Sequence, residues 1–267
     1  MAAIAQAGGL AQLLDGCQTT AETAGAISLR GDCTHAVSSD IVLADGTTIF
    51  TRGAKLDLII RGSLKIRGVA TISSFPPGTS KRAGGPDGLS AAPITIKVSG
   101  SASGALHVLN GGEDGEAGSP GQPGDSGVAG THGENAADHL FDCAHGGGDG
   151  GPGSPGSNGK DGKPGGAAGN GGDITIRVGG DASGFSVAAD ASPGHPGAGG
   201  LGGNGGAGGP GGGGGSGSTY CRGGHAGPPG PNGERGRDGS SGSVGKPGHI
   251  DLFPSEIGAI AGRQVDS

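Results

Sequence analysis

A chain of 267 residues with 2% aromatic content and no tryptophan cannot bury a large oily core. Its 69 glycines and 17 prolines, close to a third of the residues, exclude ordinary globular usage. A net charge of −7 leaves no basic footprint for nucleic acid and weakly disfavours anionic membranes, and no apolar stretch is long enough for membrane insertion.

In chain order, residues 1–34 read as an N-terminal cap. Residues 1–9 lack the basic start and long apolar stretch of a secretory leader, so no signal peptide is visible there. Leu10–Asp15 fits a short helix ended by Gly16. Cys17 and Cys33 bracket a Thr/Ala/Gly loop, which a local disulfide would close. Arg30-Gly31-Asp32 is an integrin-type tripeptide of a length that recurs by chance.

Residues 35–110 read as a short-strand β region. Strands are expected at Asp40–Leu43, Thr47–Thr51, Leu56–Ile60, Ser63–Ile66 and Ala70–Ser73, with turns at Gly62 and Gly68. Phe75-Pro76-Pro77-Gly78 opens a polar loop through Lys81, Arg82 and Asp87. Ile94-Thr95-Ile96-Lys97-Val98 then begins an internal repeat. It returns as Ile174-Thr175-Ile176-Arg177-Val178, with a weaker copy from Ile250. The first two copies continue into second strands, Leu106–Leu109 and Phe185–Ala188. Self-similarity with one supersecondary unit per copy is the mark of stacked repeats.

Residues 111–248 carry glycine at every third position in four runs, interrupted by the β repeat at 173–190. The first holds phase from Gly112 to Gly133. The second holds it from Gly147 to Gly165, slips at Ala168, and resumes at Gly169 and Gly172. The third spans Gly194–Gly215 and the fourth Gly224–Gly248. A period of three is that of a polyproline-II helix, whose backbone groups must bond outside the helix. Each run is followed by a loop or strand that returns the chain, which favours four antiparallel helices of one chain over a collagen trimer. Each would be about 70 Å long. The third run, nearly all small, is expected to be the most enclosed. Lys160, Asp161, Lys163, Glu234, Arg235, Arg237 and Asp238 on the second and fourth runs are expected to face water. The fold class expected is therefore mainly β with polyproline-II: a short-strand β-repeat or solenoid base and a four-helix glycine-rich bundle. Residues 249–267 form a C-terminal strand and tail, whose Ile257, Ile260 and Val265 could reach a neighbour.

These runs resemble those of glycine-rich polyproline-II bundle proteins, namely phage tail-fibre tip adhesins and springtail antifreeze proteins. The resemblance covers about half of the chain and rests on periodicity. It implies a rigid bundle whose end loops, in the adhesins, contact a bacterial receptor. The strand repeats interleaved with the runs depart from that pattern.

The loops between paired runs are the candidate site. Loop one, Glu134–His145, carries Asp138, His139, Phe141, Asp142, Cys143 and His145. Loop two, Ser216–Gly223, carries Tyr220, Cys221 and Arg222, with His225 just beyond. Runs of equal length put both loops at one end. There, exposed aromatics beside Arg and His suit recognition, whereas Phe141 and Tyr220 could equally plug the bundle. Cys143 and Cys221 at matched positions are candidates for a disulfide. Zinc bound by Cys143, His145, Cys221 and His225 is the alternative, although this spacing matches no standard finger. Asn158-Gly159-Lys160-Asp161-Gly162 has too few acidic ligands for calcium. The many G-x-G-x-x-G matches follow from glycine content. His107, His195 and His249 are expected at the surface or in turns. No nucleophile or carboxylate pair has a catalytic context, so neither an enzyme nor a cofactor is expected. Three readings follow: an adhesin for a cell-surface receptor or glycan, a self-assembling extracellular fibre or matrix subunit, or an ice-binding protein. All three place the chain outside the cell, on its surface or on a virion.

Overall fold

The structure, a computed structural model, describes residues 9–22, 25–75, 87–253 and 258–259. Residues 76–86 of the polar loop, including Lys81 and Arg82, lie outside it. So do Ile257, Ile260 and Val265 of the tail. The fold is mainly β, with several sheets and little helix. The chain divides into two compact units. One comprises Met1–Glu116, Gly166–Gly197 and Gly242–Ser267, and the other Ala117–Gly165 and Ala198–Ser241.

The first unit opens with a helical turn at 9–13, whose Leu10 and Leu13, with Leu14, enter the core. Gly16 at φ 79° ends this segment, a conformation glycine adopts without steric cost. The strands that follow are β1 (Thr19–Ala21), β2 (Ala26–Leu29), β3 (Cys33–Val37), β4 (Ile41–Leu43), β5 (Thr48–Phe50), β6 (Leu56–Ile60), β7 (Leu64–Ser73), β8 (Ile94–Val98) and β9 (Ala102–Leu109). Further along come β10 (Ala137–His139), β11 (Asp142–His145), β12 (Ile174–Val178), β13 (Gly184–Asp190), β14 (Ile250–Phe253) and β15 (Gly258–Ala259). The Cys17–Cys33 disulfide forms as expected. The segment it brackets, read as a loop, is the antiparallel pair β1–β2.

Two sheets stack the internal repeat in register. One is wholly parallel in the order β3-β6-β8-β12-β14. Its inward columns run Leu56–Ile94–Ile174 and Leu58–Ile96–Ile176, all buried. The other has the order β1-β2-β5-β7-β9-β13-β15, with β4 also on β7, and aligns Ile49, Ile72 and Val108. Alternation of buried and open positions makes each strand contribute one face to the core. Burial of an aliphatic side chain stabilises by about 1.5–3 kcal/mol, so these columns hold the unit together. Gly68 does not end a strand as expected. It lies inside the ten-residue β7 at φ 103°, where the register against β9 shifts between Lys65 and Val69. A Cβ there would stand 2.3 Å from Oδ1 of Asp45, which accepts the Val69 amide. Glycine therefore makes a bulge at this point instead of a turn.

Segments that lie side by side are also tied by aspartates. Asp32, Asp40 and Asp45 accept the amides of Lys55, Ser63 and Val69. The Arg30-Gly31-Asp32 tripeptide is thus internally engaged, since Arg30 Nε also donates to Thr20 Oγ1.

The glycine runs bond to one another through the backbone. In the second unit, amides of Gly118, Gly121 and Gly124 donate to Ala198, Leu201 and Asn204, so the first and third runs share a direction. Lys160 and Lys163 donate to Gln122 and Ser119, so the second run opposes the first. Gly200 and Gly203 of the third run donate to Lys163 and Lys160, and Gly236 and Gly239 of the fourth donate back to Gly203 and Gly200. The third run thereby touches all three others and is the most enclosed, with Gly200, Gly203, Gly206, Gly209, Gly212 and Gly215 buried. From Gly197 onward it needs glycine at two positions of each triplet. A Cβ on Gly206 would lie 1.9 Å from Asp125 O, and one on Gly205 would lie 2.0 Å from Gly233 O.

In the first unit the second run keeps its period through Ala168, contrary to the slip expected there. Ala168 donates to Ser243, and Gly171 to Lys246, three residues on in both strands. The phase therefore passes through Ala168, and Gly169 and Gly172 belong to the face that bonds Glu113 and Asn110.

Candidate functional site

The two turnover loops lie at the same end of the second unit, joined by a Cys143–Cys221 disulfide. Both sulfurs are committed to that bond, so the zinc set Cys143, His145, Cys221 and His225 has no thiolate to offer. Among the described residues no other His/Cys/Asp/Glu group has metal-binding geometry. Loop one folds as a hairpin: β10 and β11 pair antiparallel, with a bulge between Ala137 and Asp138. Nothing in its sequence matches the Asn-Gly signal of a two-residue turn. Leu140 stands at its apex at φ 51°, a left-handed conformation that costs a branched side chain where Gly or Asn would be relaxed.

The six residues expected to bind divide into two groups. Asp138 is occupied: its carboxylate accepts from Ser218 Oγ, the Thr219 amide at 3.1 Å and the Tyr220 amide at 3.2 Å. It therefore fixes loop two on loop one. Asp142 accepts the Cys143 amide at 2.8 Å. Ser218 and Cys221 close a tight turn, the Ser218 amide donating to Cys221 O. Asn135 Oδ1 accepts the Ser216 amide, and Gly147 donates to Arg222 O. His139, Phe141, Tyr220 and Arg222 are exposed. Leu140, which the sequence reading passed over, joins them at 80% exposure beside Phe141 at 84%; Tyr220 is 49% exposed. Phe141 stands in solvent and Tyr220 is half-exposed. The end of this unit thus presents an apolar apex on a hairpin that a disulfide and an aspartate hold from below.

Below the loops, Asp and Asn side chains of the second and fourth runs have a definite role. Asp149, Asn158 and Asp161 of the second run accept the amides of His225, Glu234 and Arg237 in the fourth, each 76 residues on. Asp238 and Asn232 accept Gly202 and Gly208 of the third run. Asp161 and Asp238 are exposed as expected, but each spends one oxygen on this ladder. The signal was present as Asp or Asn at the third position of Gly-X-Y triplets. Elsewhere, His195 Nδ1 lies 3.0 Å from Asp114 Oδ1, both at the surface.

Neither a protein-family model, nor a curated protein, nor a solved structure matches the chain.

Proposed function

We propose that the chain is a non-enzymatic surface or virion adhesin, a short-strand β-solenoid with an antiparallel bundle of polyproline-II helices that presents end loops to a cell-surface receptor or glycan. The observation carrying this reading is the apex. Leu140 and Phe141 project into solvent at the end of a hairpin, with Leu140 held in an unfavourable backbone conformation, over a disulfide and an Asp138 cluster that immobilise them. Strain of this kind survives where the surroundings over-determine it and a use exists for it. Two disulfides suit an oxidising compartment. The test is attachment to candidate cells and to a glycan array by wild type, Phe141→Ala and Tyr220→Ala. Retention of attachment by both variants would remove the end loops from the binding role.

A second reading, a fibre or matrix subunit, is favoured by β14, an edge strand with exposed Ile250 and Phe253. Sedimentation at high concentration separates the two, since this reading requires assemblies that lengthen with concentration. Ice binding is the weakest of the three readings. The outer runs are charged, and only thermal hysteresis would revive it.

A further inference from the structure

We infer that the partner of the end loops is an anionic lipid surface, engaged when the medium turns acidic; this rests on the end loops being the binding face. Three observations combine. The apex is apolar: Leu140 and Phe141 are adjacent and mostly exposed, with Tyr220 on the stapled loop. A flat sugar stacks on one aromatic face, whereas an adjacent aliphatic–aromatic pair on a rigid turn is shaped to enter the headgroup boundary of a bilayer. Second, half of the chain's eight histidines sit at this end: His132, His139, His145 and His225. Third, the fixed charges around them nearly balance that set. Glu134, Asp138, Asp142 and Asp149 are the carboxylates on the two loops and the ends of the runs that lead into them, and Arg222 is the guanidinium.

At neutral pH this end is acidic and an anionic bilayer repels it. Imidazoles are the side chains that gain charge between neutral and mildly acid pH, while carboxylates stay mostly ionised. Protonation of the four rings turns the net charge of the end positive. The whole chain follows the same sign, because eight imidazolium charges offset a formal −7. The Nδ1 atoms of His132 and His145 lie 2.8 and 3.3 Å from the carbonyls of Gly133 and Gly146. The apex supplies the apolar contact, and the histidines decide when the surface admits it.

The test is co-sedimentation of the full chain with phosphatidylcholine vesicles containing phosphatidylserine, and with pure phosphatidylcholine, near pH 7.5 and near pH 5. The bound fraction on the serine-containing vesicles should rise about tenfold on acidification, with little change on the neutral ones. Leu140→Asn with Phe141→Ser should remove the gain; Asn relaxes the left-handed turn, so this variant keeps the hairpin. Val128→Ser, which deletes an exposed apolar group elsewhere in the unit, should bind as wild type. His139→Gln with His225→Gln should flatten the pH response. Equal binding at both pH values, no binding at pH 5, or full binding by the apex variant would each overturn the inference. Cell attachment lost in Phe141→Ala, without vesicle binding at either pH, would refute the lipid partner and leave the end-loop reading standing. Vesicle binding that needs Phe141, with attachment that does not, would do the reverse.

Discussion

Gly206 and Gly146 show how differently two glycines of one run system are constrained. A methyl on Gly206 would meet the Asp125 carbonyl at 1.9 Å, and on Gly146 the nearest atom is 3.6 Å away. Gly206→Ala should therefore cost roughly 2–3 kcal/mol or more, because backbone must move, and Gly146→Ala close to nothing. Chemical denaturation monitored by circular dichroism measures both. At Asp161 the oxygen matters more than the charge, since Asn158 does the same work one triplet away. Asp161→Asn should be neutral and Asp161→Ala should lose about 1 kcal/mol in the same assay. Charge matters more at Glu22, whose carboxyl is held below the usual range by the Ser28 hydroxyl first and by Arg52 second. A depressed folded pKa contributes stability that is complete above the unfolded value, about 4.3, and is lost as pH falls through the folded one. Glu22→Gln should therefore lower stability at neutral pH, flatten the acid limb of a stability–pH curve below about pH 4.5 and leave the acid end little changed.

Proline obeys a rule at the scale of the run. In the second run the glycine amides donate to the fourth run and the next residues' amides to the first, so only the third position of each triplet has an amide that no other run's backbone accepts. Pro152, Pro155 and Pro164 all stand there. The register that sets Asp149 against His225 sets Pro152 against Pro228 and Pro155 against Pro231, so proline in the fourth run falls where the second run offers no acceptor. Ser157→Pro should weaken the pairing of the runs by deleting the amide given to Asp125, whereas Ser126→Pro, at a third position of the first run, should be tolerated. Thermal melts of the two variants compare them directly. The end loops depend on their staple in a similar way. Cys143→Ser with Cys221→Ser releases a link across 78 residues and should lower stability by about 2–4 kcal/mol. Hydrogen exchange should then speed up at 136–146 and 216–223 and stay unchanged in β8 and β12.

Across the whole molecule, the two units are held by different forces. The first buries columns of Ile, Leu and Val, whereas the second buries glycine backbone and one disulfide, with almost no apolar side chains. Exposure of apolar surface raises the heat capacity on unfolding and exposure of polar surface lowers it. Calorimetry should therefore return a heat-capacity change per residue below the usual ~12–15 cal/mol/K. A normal value would mean more apolar burial than these residues provide.

The three-residue period, the in-register repeat at Ile94 and Ile174, both disulfide pairings and the enclosure of the third run were legible in the sequence. Each follows from spacing or side-chain size along the chain. Other features were not, because they depend on which run lies beside which. The Asp and Asn ladder needs the 76-residue register. The continuity of the period through Ala168 needs its partner Ser243. The bulge at Gly68 needs Asp45, and the β10–β11 hairpin forms around a Leu that no turn rule selects. Sequence alone determined that the backbone of the runs had to bond outside itself; tertiary structure decided the partners, because a hydrogen bond is satisfied by a neighbour in space, and local spacing does not say which run that neighbour belongs to.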